Sequence, residues 1–406
     1  MAPAGRSRPV RADDGSVASD PNMARQPAAD DRVGLLLLAA MLIVYLMTAG
    51  GSLATTDAVV TYDVTRQVVE HHTIALSSNL VGNDAYRGPD GRFYSPFGLL
   101  QALWNVPFYV AGRVAYAVLP VRSLGQDMVT KATVALGNAC TAALVVWLVW
   151  RFAASVVSSR RTALAAALAA GFATSLWPYS KFGFNVPLSA LLVTASLFAT
   201  LDAARSGRRG RLIIAGGLCG LALLTRHEFG LLAVVSAAFI AWHQRRAWTT
   251  TLPWWALGAA PGGLAWAFYN AIRYGSPIET GYLKDQTLGM GGSLLAGVWG
   301  QFASPGASLF LYAPVMIAAC AAVVAIRRRD PALAWLVGAT TVLFVVFYGQ
   351  LESWAAGRSY GPRYLVPFMP VLCVTLGVWM AQCRRSVRTA TVAVCVLSGM
   401  VQIPGV

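Results

Sequence analysis

Eleven apolar stretches, separated by short polar turns, leave this 406-residue chain few folds to choose from. They fall at 33–50, 132–155, 162–178, 184–201, 211–226, 229–243, 251–270, 306–326, 332–349, 364–382 and 389–406. Each is close to the ~20 residues that a helix needs to cross bilayer hydrocarbon. In that medium a helix satisfies its own backbone polar groups, and an irregular chain does not. Pro187, Pro261, Pro314 and Pro370 lie inside these stretches and are tolerated there, because neighbouring helices take up the freed groups. Charged residues make up 12% and hydrophobic ones 56% of the chain, whereas a soluble domain carries about 25% charged residues. The expected class is an all-α polytopic membrane protein with about eleven transmembrane helices.

A net charge of +15 raises the possibility of nucleic-acid binding. The placement of the charge argues against it. Arg160-Arg161, Arg205 to Arg211, Arg245-Arg246, Arg327 to Arg329 and Arg384 to Arg388 all sit in short connections between apolar stretches. Cytoplasmic loops carry such an excess, so these connections are assigned to the inside. The outer segments are then 51–131, 178–183, 227–228, 271–305 and 350–363, and the protein is expected in the plasma membrane. Residues 1–32, rich in Ala, Pro, Asp and Arg, read as a disordered inner tail before the membrane domain of 33–406. Counting 97–120 as a span would invert every later loop. It is read instead as a helix that lies in the outer interface or dips in and returns, with Trp104, Tyr109 and Tyr116 suited to the interface and Arg113 snorkelling.

Cys140, Cys219, Cys320, Cys373, Cys383 and Cys395 lie in or beside apolar stretches and share no metal-ligand spacing, so they read as packing residues. Phosphate-cradling GxxxxGK[ST], HExxH and GxSxG patterns do not occur. No cofactor is expected, and no ligand set for a divalent metal ion is assigned.

The chemistry is expected in the outer segments. Residues 57–72 are expected to form a short amphipathic helix lying flat on the membrane, with Val60, Val64 and Val68 on one face and Asp63, Arg66 and Glu70 on another. Pro89-Asp90-Gly91 then makes a tight turn between Tyr86 and Phe93-Tyr94. Asp57, just beyond the first span, reads either as a helix N-cap or as a general base, and the two are compatible. Asp63 is the second carboxylate candidate, or else a solvated one. Arg226-His227-Glu228 interrupts an apolar run as a hairpin at the outer surface, where ionisable groups are functional or simply face water. Arg358, Arg363 and Lys181 are outer cations against the inside bias. They are candidates for an anionic ligand or for lipid headgroups.

The segments TTDAVVTYDVTRQVVEHHTIAL, GRFYSPFGLLQALWNVPFY, TRHEFG, YGSPIETGY, SPGASLFLYAP and SYGPRYLVPFMP, in this order, resemble the GT-C membrane glycosyltransferases. The similar branch holds the protein O-mannosyltransferases and the aminoarabinose transferase of lipid A. The resemblance implies transfer of a sugar from a polyprenyl-phosphate donor to an envelope glycan, lipid or protein outside the cytoplasm. It implies Asp57 as general base, Tyr62 as a matching aromatic position, and Arg226 and Arg363 as holders of the carrier phosphate. Asn185 in FGFNVP is a departure, since some relatives carry an acid in that segment. Two other classes compete: a transporter or flippase of a lipid-linked substrate, and a non-catalytic envelope scaffold. A transporter commonly shows inverted repeats and midplane charges, and neither is visible.

Overall fold

The computed structural model describes residues 27–77, 85–280, 289–357 and 359–406. Helices run α1 (Pro27–Met47), α2 (Thr56–His71), α3 (Leu99–Val118), α4 (Gln126–Val156), α5 (Arg160–Phe172), α6 (Leu176–Tyr179), α7 (Val186–Ser206), α8 (Arg209–Thr225), α9 (Gly230–His243) and α10 (Trp248–Tyr274). They continue as α11 (Leu294–Ala303), α12 (Leu309–Tyr312), α13 (Val315–Ile326), α14 (Pro331–Gly349), α15 (Met369–Gln382) and α16 (Arg385–Gln402). A hairpin of β1 (Tyr86–Arg87) and β2 (Phe93–Tyr94) stands between α2 and α3. The protein is an all-α polytopic membrane protein. Among the described residues, Gln126–Val156, Val186–Ser206, Pro331–Gly349 and Arg385–Gly405 combine the length and apolar composition needed to cross a bilayer. Helix α1 begins before the expected apolar run, and the tail reading for 1–26 lies outside the described residues.

One apolar core runs through the bundle, from Met41 on α1 through Val146 and Trp150 on α4 to Val193 on α7, Phe344 on α14 and Leu372 on α15. Side-chain contacts between connections draw them into two groups. At one end Arg205 donates to both carboxylate oxygens of Asp330, at 2.9 and 2.8 Å, and Gln244 reaches the carbonyl of Ala204 at 2.6 Å. That end gathers the arginine-rich turns. The other end carries α2, the hairpin and the 182–184, 226–229 and 359–364 segments.

Helix α8 packs along α10 through small residues. Gly216 and Gly220 on α8, with Gly258 and Gly262 on α10, repeat at the four-residue spacing that brings membrane helices backbone to backbone. A Cβ added to Gly216 would meet the Trp255 carbonyl oxygen at 1.9 Å, and one on Gly258 the Ile213 oxygen at 2.0 Å. One on Gly262 would lie 2.4 Å from the Gly220 carbonyl carbon.

The outer helices differ from their sequence reading. Val60 and Val64 of α2 pack with Leu76 and Ala102, against α3 and the strand segment, so this apolar stripe faces protein rather than membrane. The turn over Pro89–Gly91 forms as expected, pairing Tyr86 with Tyr94 and Arg87 with Phe93. Helix α3 buries Gln101, Ala102, Asn105, Tyr109 and Gly112 on one face, and leaves Val110, Val114 and Val118 exposed on the other.

Gly262→Leu is expected to lower the thermal unfolding midpoint of the purified protein in detergent, because overpacking costs about 1–3 kcal/mol. Gly263, one position on, has open space around its Cβ direction. Gly263→Ala is expected to leave the midpoint unchanged or slightly raised, since glycine inside a helix costs about 0.5–1 kcal/mol relative to alanine.

Candidate active site

Helix α2 starts where the chain leaves α1. Thr55 takes the N-cap: its backbone is extended, and its side chain accepts from the Ala58 amide at 3.2 Å. The capping role read for Asp57 therefore belongs to Thr55. Asp57 sits in the first turn, where the helix dipole favours a carboxylate. Its Oδ2 accepts a hydrogen bond from Nη2 of Arg363. The pair is partly buried, with 27% of the Asp57 and 16% of the Arg363 side chain exposed. Solvent screens such a pair less than a surface one.

Arg363 is delivered by the segment between α14 and α15. Gly361 adopts φ +66°, in the left-handed region, and packs against Tyr312. The Arg363 guanidinium carbon lies 3.7 Å from the centroid of the Phe184 ring, a cation–π contact. Its Nε has no hydrogen-bond partner among the described residues. Gly183, beside Phe184, meets Ala58 so closely that an added Cβ would lie 2.2 Å from the Ala58 Cβ. The 182–184 loop thus touches Arg363 and Ala58, the residue after Asp57.

A cavity of about 470 Å³ opens here, lined by Ala54, Thr55, Phe182, Phe184, Ser359 and Tyr360. Half of its lining residues are aromatic, and Thr55 and Ser359 are hydroxyl-bearing. Tyr360 is held by a 2.6 Å bond from its hydroxyl to the Val401 carbonyl and by an edge contact with Tyr312.

A second charged pair stands alongside. Arg226 donates from Nε to Glu228 at 2.6 Å, and the Tyr348 hydroxyl donates to the same oxygen at 3.2 Å. Burial raises the Glu228 carboxyl, but Arg226, a backbone hydrogen bond and His227 together outweigh it and hold the group below its ordinary value. The Arg226 guanidinium lies 5.2 Å from the ring of Tyr364, which stacks on Tyr348 at 4.7 Å. Tyr364 follows Arg363 in the chain, and Tyr179 lies in the electrostatic field of both arginines. Burial pushes the His227 imidazole down to about 4, so it is neutral near pH 7 and its Nδ1 accepts from Trp266 at 2.8 Å.

Lys181 lies 5.4 Å from the ring of Phe182 at the cavity edge, and Asp63 and Tyr62 make other contacts. Asp63 is buried, not solvated: it accepts from the Ser77 amide at 2.8 Å and the Ser77 hydroxyl at 3.0 Å, fastening the chain that follows α2. Tyr62 is buried under α2, bonded to Asp127 at 2.9 Å and to Thr130 at 2.6 Å, with its ring against Tyr109. Lys181 donates to the main-chain oxygen of Val406. Arg358 lies outside the described residues. Sequence reasoning did not single out Phe184, Tyr179, Ser359, Tyr360 or Arg273. Arg273 is fully buried and donates to the carbonyls of Ser95 at 2.7 Å and Phe97 at 3.2 Å, which ties the SPFG segment to α10. An arginine at the end of an apolar span was the visible signal for it.

No group of three His, Cys, Asp or Glu side chains suited to a metal occurs among the described residues. All six cysteines are free thiols.

Residues 123–265 match a family model described as dolichyl-phosphate-mannose-protein mannosyltransferase. Among solved structures, the chain is similar to ArnT from Cupriavidus metallidurans bound to undecaprenyl phosphate. The TM-score is 0.57 and the identity 19%, over 90% of this chain and 63% of that one. The apo state of the same protein gives a TM-score of 0.53 and 17% identity over the same shares. The chain therefore spans about 63% of the length of these structures. No curated protein sequence matches it.

Glu70 supplies a test of how α2 is held. Burial raises its carboxyl, but the 2.6 Å bond from Tyr109 and the guanidinium groups of Arg66 and Arg113 win, and its pKa falls below the ordinary 4.5. A depressed carboxyl stabilises the fold above its unfolded value and loses that contribution as pH falls through its folded value. Glu70→Gln should raise amide exchange across 56–71 at pH 7. The difference from wild type should shrink as pH falls below 4.5. A difference that persists under acid would mean that charge is not what holds α2.

Proposed function

We propose that the chain is a GT-C transferase related to the ArnT- and PMT-like lipid-linked sugar transferases, and that it moves a sugar from a polyprenyl-phosphate carrier to an acceptor hydroxyl. The observation that carries this reading is the Asp57–Arg363 pair beside the aromatic cavity. The transfer needs a base for the incoming hydroxyl and a fixed cation for the leaving phosphate, and the pair holds one of each.

In the proposed reaction Asp57 accepts the acceptor's hydroxyl proton as its oxygen attacks the anomeric carbon. The bond from that carbon to the phosphate oxygen breaks on the opposite face, so configuration inverts. The electron pair leaves with the carrier phosphate, and the growing charge is met by Arg363, with Arg226 nearby. A guanidinium suits this task because it stays charged and presents several donors in a plane. Glu228 keeps Arg226 aimed, and the aromatic walls accept the sugar.

All eleven apolar stretches are assigned as spans, with the arginine-rich end inside and the candidate site at the extracytoplasmic face. The carrier's polyprenyl chain then remains among lipid and helices while its phosphate reaches the site. The acceptor is an envelope glycan, lipid or protein.

The test is sugar transfer by purified protein in lipid, with radiolabelled polyprenyl-phosphate sugars and an envelope extract as acceptor. Asp57→Asn should reduce turnover by at least ~10²-fold, the lower end of what a positioned base contributes. Asp63→Asn should retain turnover and lose thermal stability instead, since a buried hydrogen-bond network broken on one side costs about 1–3 kcal/mol. Equal turnover by wild type and Asp57→Asn would remove Asp57 from the chemistry.

A further inference from the structure

Asn138 lies inside α4, 4% exposed, within an apolar stretch expected to cross the membrane. A polar side chain at such a place is costly unless it is bonded. Its amide nitrogen donates to two main-chain oxygens, those of Phe182 and of Phe184, the latter at 2.9 Å. Both acceptors are carbonyls, so the NH₂ end of the amide must face them. One side chain thereby pins the loop at two alternate residues.

Those two residues supply two aromatic walls of the cavity. The ring of Phe184 also carries the Arg363 guanidinium on its face at 3.7 Å. Gly183 between them abuts Ala58, the neighbour of Asp57. Main-chain carbonyls of a loop packed in an apolar bundle need partners, and Asn138 provides them with one group. If the amide is lost, Phe184 is released, and with it the surface against which Arg363 rests.

We propose that Asn138 is the positioning residue of the candidate site: through its clamp on the Phe182 and Phe184 carbonyls it sets where Arg363 stands to meet an anionic group. This role rests on the transferase reading for the identity of that anion, a polyprenyl phosphate. The placement of Arg363 itself does not rest on it. A structural bond in α4 alone would stabilise the helix. A positioning bond changes the environment of an arginine on another segment of the chain.

The experiment uses full-length protein in nanodiscs with two readouts. The first is the rate at which phenylglyoxal modifies Arg363, followed by peptide mass spectrometry, with Arg205 as an internal control. In Asn138→Ala the Arg363 rate should rise at least fivefold, Arg205 should be unchanged, and amide exchange should rise over 182–184 but not along α4. Phe184→Leu leaves the clamp intact and should raise the Arg363 rate without loosening the loop. This keeps the proposal testable if Asn138→Ala does not fold. An unchanged Arg363 rate in both variants overturns it. The second readout is binding of undecaprenyl phosphate, which should weaken about tenfold in Asn138→Ala. If the wild type fails to bind this lipid while the modification rates respond as stated, the transferase reading fails and the positioning role stands. If the wild type binds and Asn138→Ala binds equally, the positioning role fails alone.

Discussion

An apolar bundle has no place for an unpaired charge, and this constraint decides where everything polar in the protein goes. The ionisable groups are sorted to the two ends of the helices. At one end they are mostly arginines in short turns. At the other, charges are paired both locally, as Arg226 with Glu228 and Arg66 with Glu70, and across the chain, as Asp57 with Arg363. Asp57 and Arg363 are 306 residues apart in sequence and meet across α2, the 182–184 loop and the segment before α15. Glu228 is shared between Arg226 and Tyr348. Removing one member of such a pair leaves the other buried and uncompensated, which is why these contacts constrain the fold as well as the chemistry.

The same economy explains how loops at this end keep their shape. Irregular backbone is tolerated near the membrane only where its carbonyls find donors. Arg273 serves the Ser95 and Phe97 carbonyls, and Ser77 and Asp63 hold the turn after α2. A site built on so many loops can still be rigid, because each loop is fastened to a helix by a buried side chain.

Much of this was legible in the sequence, and the reasons for the remainder are physical. Apolar length located most of the long helices, since it follows from the cost of burying polar groups, but the 306–326 stretch divides into α12 and α13, and the 271–305 segment holds α11. The helix over α2 and the Pro89–Gly91 turn followed from local patterns. Asp57 was visible as a carboxylate just past a span, and Arg363 as an outer cation, but nothing local joins residues that far apart. The solvated reading of Asp63 fails because its partner Ser77 arrives only after the chain reverses at His72, whose φ of 53° is left-handed. The glycine pairs of α8 and α10 have a readable spacing, yet their register depends on the connection through α9. The ring of Tyr62 lies against Tyr109 and its hydroxyl bonds to Asp127 and Thr130, partners that no local pattern joins to it.

The central claim is that the end of the bundle holding Asp57 and Arg363 receives the phosphate of a polyprenyl carrier. It is tested most directly by photo-crosslinking, using a polyprenyl phosphate with a photoreactive group next to its headgroup and wild-type protein in nanodiscs. Mapping the labelled peptides should place the adducts on residues 54–57, 182–184 and 359–363, with loss of label when Arg363 is replaced by alanine. Adducts on the opposite end, around Arg384 to Arg388, unaffected by that replacement, would contradict the account.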